Sequence, residues 1–208
     1  MKKIFFALSL MTVMGLTSCL SDDDNENQGL TPQEMSQYFN AIRGDYNGKL
    51  LFEVNNPNDP KDYADTLDIA WRVAADTTVV IDEFPQVVIL DRIKDNELKE
   101  ALAAAAPVQL KAQIGFFKSD FVSFLLYPYA AVYDIEYQGA MHKASLAFWF
   151  NAYSYGIYNP HDKLFEMQFV IAGLYLDDNN SHNYLTNSSY DNYSIPIVIT
   201  NGDLSKKQ

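Results

Sequence analysis

Apolar and polar side chains alternate with a period of two along most of the chain. The pattern is clearest in residues 67–73 and 108–116, where every second side chain is apolar. Shorter or less regular apolar segments lie at 46–54, 77–81, 121–127, 133–137, 141–150, 164–176 and 195–199. This periodicity is typical of antiparallel strands. It predicts a mainly β chain of about eight or nine strands, folded as an antiparallel β-sandwich or closed meander, with a calycin-like barrel as an alternative.

Two segments repeat apolar residues at helical spacing instead. The first, 32–43, follows a capping box that opens with Thr31, and Gly44 ends it. The second, near 95–106, has Asp95 as its N-cap. We therefore expect one helix before the first strand and a shorter helix inside the β region, with helix well below about 35% of the residues.

Turn residues mark several joints between the strands. Residues 75–76 and 138–139 are each typical of a tight hairpin turn. Pro196 interrupts the last apolar segment, which predicts an edge position for that strand. Residues 177–194 are nearly all polar or tyrosine, and a loop of that length is either functional or mobile.

The N-terminus has the three parts of a bacterial lipoprotein leader. Lys2 and Lys3 are positively charged, and residues 4–16 form an apolar stretch that is too short to cross a membrane. The sequence Leu16-Thr17-Ser18-Cys19 resembles a lipobox, the recognition site of lipoprotein signal peptidase. This resemblance implies cleavage before Cys19 and acyl chains on the new N-terminal residue, which together would make a lasting membrane anchor.

The leader divides the chain into three regions. Residues 1–18 are the predicted signal peptide, residues 19–30 a lipidated acidic tether, and residues 31–208 a single β-rich domain. Physically, the acidic run at 21–26 is a solvated linker.

Charge and cysteine content exclude several classes of function. The net charge is −12, and removing the leader with its two lysines takes it to −14. A surface this acidic repels phosphate backbones, which argues against nucleic acid as a partner. Cys19 is the only cysteine, so its lipidation would leave no thiol for a disulfide, a nucleophile or a metal site.

The start of the chain resembles a known group of proteins. Residues 30–35 (LTPQEM) and 44–50 (GDYNGKL), together with the lipobox and tether, are similar to a family of uncharacterised Bacteroidetes outer-membrane lipoproteins that carry a domain of unknown function. The resemblance covers about the first 55 residues. It implies no activity and no catalytic residue.

The resemblance also implies a location and a modification. The acidic run at 22–24 resembles the surface-export signal of such lipoproteins, and Leu20 replaces the aspartate that retains some lipoproteins in the inner membrane. We therefore expect a lipid-anchored protein of the outer membrane that is displayed on the cell surface. Thr66 and Thr77 lie in Asp-Thr sequences that resemble the O-glycosylation site of exported proteins in those bacteria.

Candidate catalytic residues are few and lack a recognisable motif. His142, His161 and His182 have no partner at metal-ligand spacing, so we expect no metal and no cofactor. Asp134 and Glu136 share one face of a strand and could form a carboxylate pair for hydrolysis. Such residues more often lie on the solvent-exposed face of an antiparallel sheet. A hydrolase of unrecognised type is therefore an alternative function.

An aromatic segment is the best candidate for binding. The residues concerned are Trp149, Asn151, Tyr153, Tyr155 and Tyr158. Exposed rings beside an amide suit sugars and peptides. If another element covers this face, the same rings have only a packing role. We therefore expect a non-enzymatic binding or accessory module for a glycan, peptide or partner protein. The other alternative is a structural subunit of an envelope complex.

Overall fold

A computed structural model describes residues 29–54, 64–186 and 194–202 of the chain. The helices are α1 (Pro32–Ile42), a 3-10 helix (Gln86–Arg92) and α2 (Asn96–Ala103). The strands are β1 (Gly44–Glu53), β2 (Ala64–Ala74), β3 (Thr78–Phe84), β4 (Val108–Phe117), β5 (Val122–Pro128), β6 (Ala131–Tyr137), β7 (Ala140–Trp149), β8 (Asn151–Asn159), β9 (Leu164–Leu176) and β10 (Ile195–Thr200).

Eight of these strands form a closed antiparallel barrel. They follow one another in the order β1-β2-β3-β4-β5-β8-β9-β10, and β10 returns to pair with β1. The prediction of a mainly β, antiparallel chain is confirmed, and the closed calycin-like barrel is the correct member of the predicted alternatives. Closure pairs both edges of each barrel strand, which removes the free edges that an open sheet would expose.

The first helix forms where its sequence signals predict, and it packs against β5 and the β4–β5 connection. Thr31 and Glu34 form the reciprocal capping box, with Pro32 at the first helical position. At the other end of the helix, Ile42 is buried and its carbonyl accepts a hydrogen bond of 2.7 Å from the Tyr46 hydroxyl. The helix is therefore tied directly to the strand that follows it.

Aromatic rings fill the interior of the barrel. Tyr46 stacks on Trp71 with ring centroids 5.4 Å apart, and Phe165 contacts both of them. Phe124 and Tyr158 pack against Phe165 from neighbouring strands, at 5.7 and 5.8 Å. Because the interior is packed with rings, the surface of the barrel is the better place to look for a ligand site.

The hairpin β6–β7 lies outside the eight-stranded barrel. β7 pairs with the second half of β9, and β6 pairs with β7 through the predicted turn at residues 138–139. The inward side chains of β6, which include Tyr133 and Ile135, are buried. β6 contacts α2 and β4, and α2 contacts the 3-10 helix, so the hairpin and these elements enclose an extension of the core.

Two details differ from the sequence patterns. The strand β8 was not predicted as a separate element, because its aromatic residues do not alternate cleanly with polar ones. The predicted edge position of the last strand is wrong, since β10 pairs with both β1 and β9. Pro196 is tolerated because the pairing with β1 begins only at Val198.

The described part of the polar loop is packed against the sheet. Asn183 accepts a hydrogen bond from the Leu174 backbone and donates one to the Ala172 carbonyl. Leu185 is buried and forms an isolated bridge with Ile93. Residues 177–186 therefore belong to the folded structure.

Candidate functional site

The candidate site is a large bulge where β7 passes into β8. Both strands run antiparallel to β9, and Trp149 pairs with Val170 while Tyr155 pairs with Gln168. On the β9 side, residues 150–154 therefore face only Phe169, whereas on the other side Asn151 pairs with Leu126 of β5. A bulge forces extra chain out of the ladder and changes the direction in which its side chains point.

The bulge exposes three large aromatic side chains. Trp149, Phe150 and Tyr153 are 43%, 55% and 58% exposed. The rings of Trp149 and Tyr153 lie 5.9 Å apart at an angle of 39°. Exposed aromatic residues at this density are unusual on a surface that has no binding role. We name these three residues the aromatic bulge.

Two polar side chains behind the aromatic bulge hold its backbone in place. The buried hydroxyl of Ser154 donates to the Trp149 carbonyl and accepts a hydrogen bond from the Val170 backbone at 3.2 Å. The amide of Gln168 donates to the Tyr153 carbonyl at 3.0 Å. The rings are therefore displayed on a hydrogen-bonded scaffold, which lowers the entropic cost of binding through them.

The structure brings together only part of the predicted aromatic set. Trp149 and Tyr153 lie side by side, and Tyr155 is half-buried on the same outer face as Tyr153. Burial raises the pKa of Tyr155, and the charge of Glu166 adds to the effect. Tyr158 points into the barrel against Phe165 and does not join this surface.

Asn151 begins β8, and its side chain lies outside the described part of the structure.

Sequence reasoning missed Phe150 and Gln168. The alternation of β7 places Phe150 on the inner face with Phe148, but the bulge turns it outward. Gln168 lies on a strand more than ten residues away in sequence, and nothing in its neighbourhood marks it as a support. The positions of both residues depend on a break in strand register that no local sequence pattern predicts.

The predicted acid–base residues do not form a common centre. Asp134 is paired with Lys143 at 3.0 Å on the β6–β7 hairpin, which joins the end of β9. His161 lies on the exposed turn that precedes β9. The hairpin and that turn are separated by the length of β9, so Asp134 and His161 cannot act on one substrate atom.

The other two histidines have structural contacts. His142 Nδ1 is 2.6 Å from Asp177 Oδ2, and the His182 ring packs against Tyr184 at 4.4 Å. The backbone N–H of Lys143 and the side chain of His142 lower the pKa of Asp177. Within the described residues, no group of three or more His, Cys, Asp or Glu side chains is arranged to hold a metal ion.

The two threonines of the predicted modification sequences differ in setting. Thr77 lies in the tight turn between β2 and β3, with its backbone in the left-handed region and its hydroxyl bonded to the Asp76 carbonyl. Thr66 lies within β2, paired with Leu51 of β1. Both threonines are half-buried, so exposure does not separate the two predicted positions.

Cys19, the signal peptide and the acidic run at 22–24 lie outside the described residues. Within the described ranges, no helix combines the length and the hydrophobicity needed to cross a bilayer.

Comparison with known proteins adds one finding. Residues 41–176 match the protein family described as Domain of unknown function (DUF4840). The matched region runs from the end of α1 to the end of β9, so it contains the aromatic bulge and the β6–β7 hairpin. No curated protein and no solved structure gives a significant match to the chain.

Proposed function

Since this chain belongs to the DUF4840 family, whose function is unknown, we propose a function from its surface: a non-enzymatic binding or accessory module of the cell envelope. The observation that carries the proposal is the aromatic bulge, Trp149, Phe150 and Tyr153. The location rests on the lipobox-like sequence before Cys19 and on the acidic run that follows it.

A partner protein suits the aromatic bulge better than a glycan does. Tryptophan and tyrosine are the residues that most often anchor protein interfaces, and Phe150 adds a ring with no polar atom. Sugar recognition also needs hydrogen-bonding side chains beside the rings. Here Ser154 and the amide nitrogen of Gln168 are already bonded to the backbone of the bulge.

Substitution of the paired rings tests this proposal. The full chain, purified in mild detergent, is titrated with an envelope protein that co-purifies with it. We expect Trp149→Ala with Tyr153→Ala to weaken that binding about a hundredfold, because two central aromatic anchors are lost. Phe121→Ala is the matched control, since Phe121 is similarly exposed but lies at the far end of β5 from the bulge.

Two results would contradict the proposal. Equal affinity of the double variant for the partner would remove the aromatic bulge as the binding surface. Binding on a glycan array that depends on Trp149 would replace the protein partner with a sugar. Recovery of a stoichiometric complex that resists salt washing would instead favour the structural-subunit alternative, because the same rings suit a permanent interface.

A further inference from the structure

The outer edge of β6 has no strand beside it in the described structure. β6 is the last strand of the sheet order and pairs only with β7. Unpaired strand edges expose backbone N–H and C=O groups that can accept another strand. This edge therefore offers a template for an added peptide.

The hairpin turn determines which residues direct their backbone outward. Gln138 and Gly139 both have positive φ, at 52° and 76°, as a two-residue type I′ turn requires. In such a hairpin the residues flanking the turn, Tyr137 and Ala140, form a hydrogen-bonded pair, and these pairs then alternate along the ladder. Val132, Asp134 and Glu136 consequently point their N–H and C=O groups away from β7.

A groove runs between this edge and α2. Two contacts hold the hairpin tip to the start of the helix: the Tyr137 hydroxyl donates to Asp95 at 2.8 Å, and the Gln138 N–H donates to Glu97 at 2.9 Å. Beyond these contacts the helix and the strand enclose a cavity of about 490 Å³. Its lining includes three alanines of the helix region, Ala101, Ala104 and Ala105.

The groove matches the two faces of an extended peptide. Side chains of an added strand alternate between the outer face, beside Asp134 and Glu136, and the inner face, toward the alanines. The small alanine side chains leave room for apolar residues on the inner face. On the outer face, opposite charges across neighbouring strands stabilise pairing.

The charge of the groove is negative. Glu97, Asp134 and Glu136 contribute carboxylates to the lining, and Lys143 offsets one of them through its contact with Asp134. A second copy of β6 would place these carboxylates against each other, which destabilises a strand pair. The favoured occupant is therefore a segment rich in lysine or arginine.

We propose that the groove between α2 and β6 binds an extended basic segment of a partner protein by strand addition to the β6 edge. The groove lies at the opposite end of β7 from the aromatic bulge, about 25 Å away at the usual rise of a strand. The two surfaces are independent, so either assignment can fail without the other.

Peptide titration tests the proposal. The probe is a fluorescent peptide of alternating lysine and valine, as long as β6, measured by anisotropy with the full chain in mild detergent. We expect saturable binding, and at least about tenfold weaker binding when glutamate replaces lysine. We expect Asp134→Asn with Glu136→Gln to weaken binding about fivefold. Asp65→Asn with Asp68→Asn is the matched control on β2, where Asp68 pairs with Lys49 as Asp134 does with Lys143.

Backbone methylation separates strand addition from simple charge attraction. Two isomers of the peptide carry N-methyl groups on alternate residues. In one isomer the methyl groups block one backbone edge of the peptide, and in the other isomer they block the opposite edge. We expect one isomer to lose binding at least about tenfold while the other keeps it, because a strand pairs through one edge. Slower hydrogen exchange of the Asp134 and Glu136 amides in the peptide complex would accompany this result.

Several outcomes would overturn the proposal. These are equal binding of the lysine and glutamate peptides, equal binding of both methylated isomers, and absence of saturation by any peptide up to about 1 mM.

Discussion

At the scale of single residues, Gly156 shows how the barrel interior constrains the sequence. It lies in the middle of β8 directly opposite Phe124 of β5, at a position where strands usually carry a branched or aromatic side chain. A Cβ atom there would overlap the Phe124 ring and press on Met167. The glycine therefore makes room for a fully buried ring.

We predict that Gly156→Ala lowers the free energy of unfolding by about 1–3 kcal/mol, the usual cost of overpacking a core. Urea denaturation followed by tryptophan fluorescence measures the change. Gly115→Ala is the control, because its Cβ would meet only the edge of Tyr127, an exposed ring that can move. Equal destabilisation by the two variants would show that the Phe124 contact does not explain the glycine.

At the scale of elements, Asp95 joins α2 to the β6–β7 hairpin. Its carboxylate accepts the Leu98 N–H as the helix N-cap and also accepts the Tyr137 hydroxyl. The Leu98 N–H and then the Tyr137 hydroxyl lower the pKa of Asp95 below its usual 3.8. The hydrogen bond to Asp95 in turn raises the pKa of Tyr137 to about 12.

These pKa shifts predict how stability depends on pH. The stabilisation from Asp95 is complete above about pH 3.8, its unfolded value, and is lost as the pH falls through the lower folded pKa. The stabilisation from Tyr137 is complete below about pH 10 and is lost as the pH rises toward about 12. Urea midpoints measured across both ranges test this.

Single substitutions identify the groups responsible. Asp95→Asn should reduce the loss of stability at acidic pH, to which Asp82 and Asp177 also contribute. Tyr137→Phe should reduce the loss at alkaline pH, and it should cost about 1 kcal/mol at pH 7 for the lost hydrogen bond. Thr31→Ala removes the cap of α1, the other helix, and should leave the loss of stability at alkaline pH unchanged. If stability depends on pH equally in the wild type and in the Asp95 and Tyr137 variants, other groups control the pH response.

At the scale of the whole molecule, the barrel and its tether have separate tasks. The aromatic bulge lies where β7 passes into β8 of the barrel, and the groove lies outside the barrel, between α2 and β6. The predicted lipid on Cys19 would hold that domain at the membrane.

We predict that Cys19→Ala abolishes labelling by a fatty-acid probe and leaves an unprocessed or soluble form. Replacement of Asp22, Asp23 and Asp24 by alanine should keep the label but reduce cleavage by protease added to whole cells, because the export signal is lost. Alanine replacement of three acids on the barrel surface, Asp45, Asp65 and Asp68, is the control for net charge. Unchanged cleavage after replacement of residues 22–24 would show that the acidic run is only a spacer.

The sequence by itself determined the local elements, because their signals are local. The capping box at Thr31 begins α1, Asp95 caps α2, and the positive-φ turn at residues 138–139 joins β6 to β7. Period-two alternation identified the antiparallel β class for the same reason, since each strand shows its buried face in its own residues.

Only the tertiary structure decided what those elements do together. Closure depends on β10 meeting β1, a pairing between the ends of the chain that no segment encodes alone. The register break after Trp149 turns Phe150 outward, whereas Tyr158 further along the same strand points into the core. The groove beside β6 likewise exists because α2 packs near an unpaired edge. Such features arise from contacts between residues distant in sequence, so a periodic pattern cannot specify them.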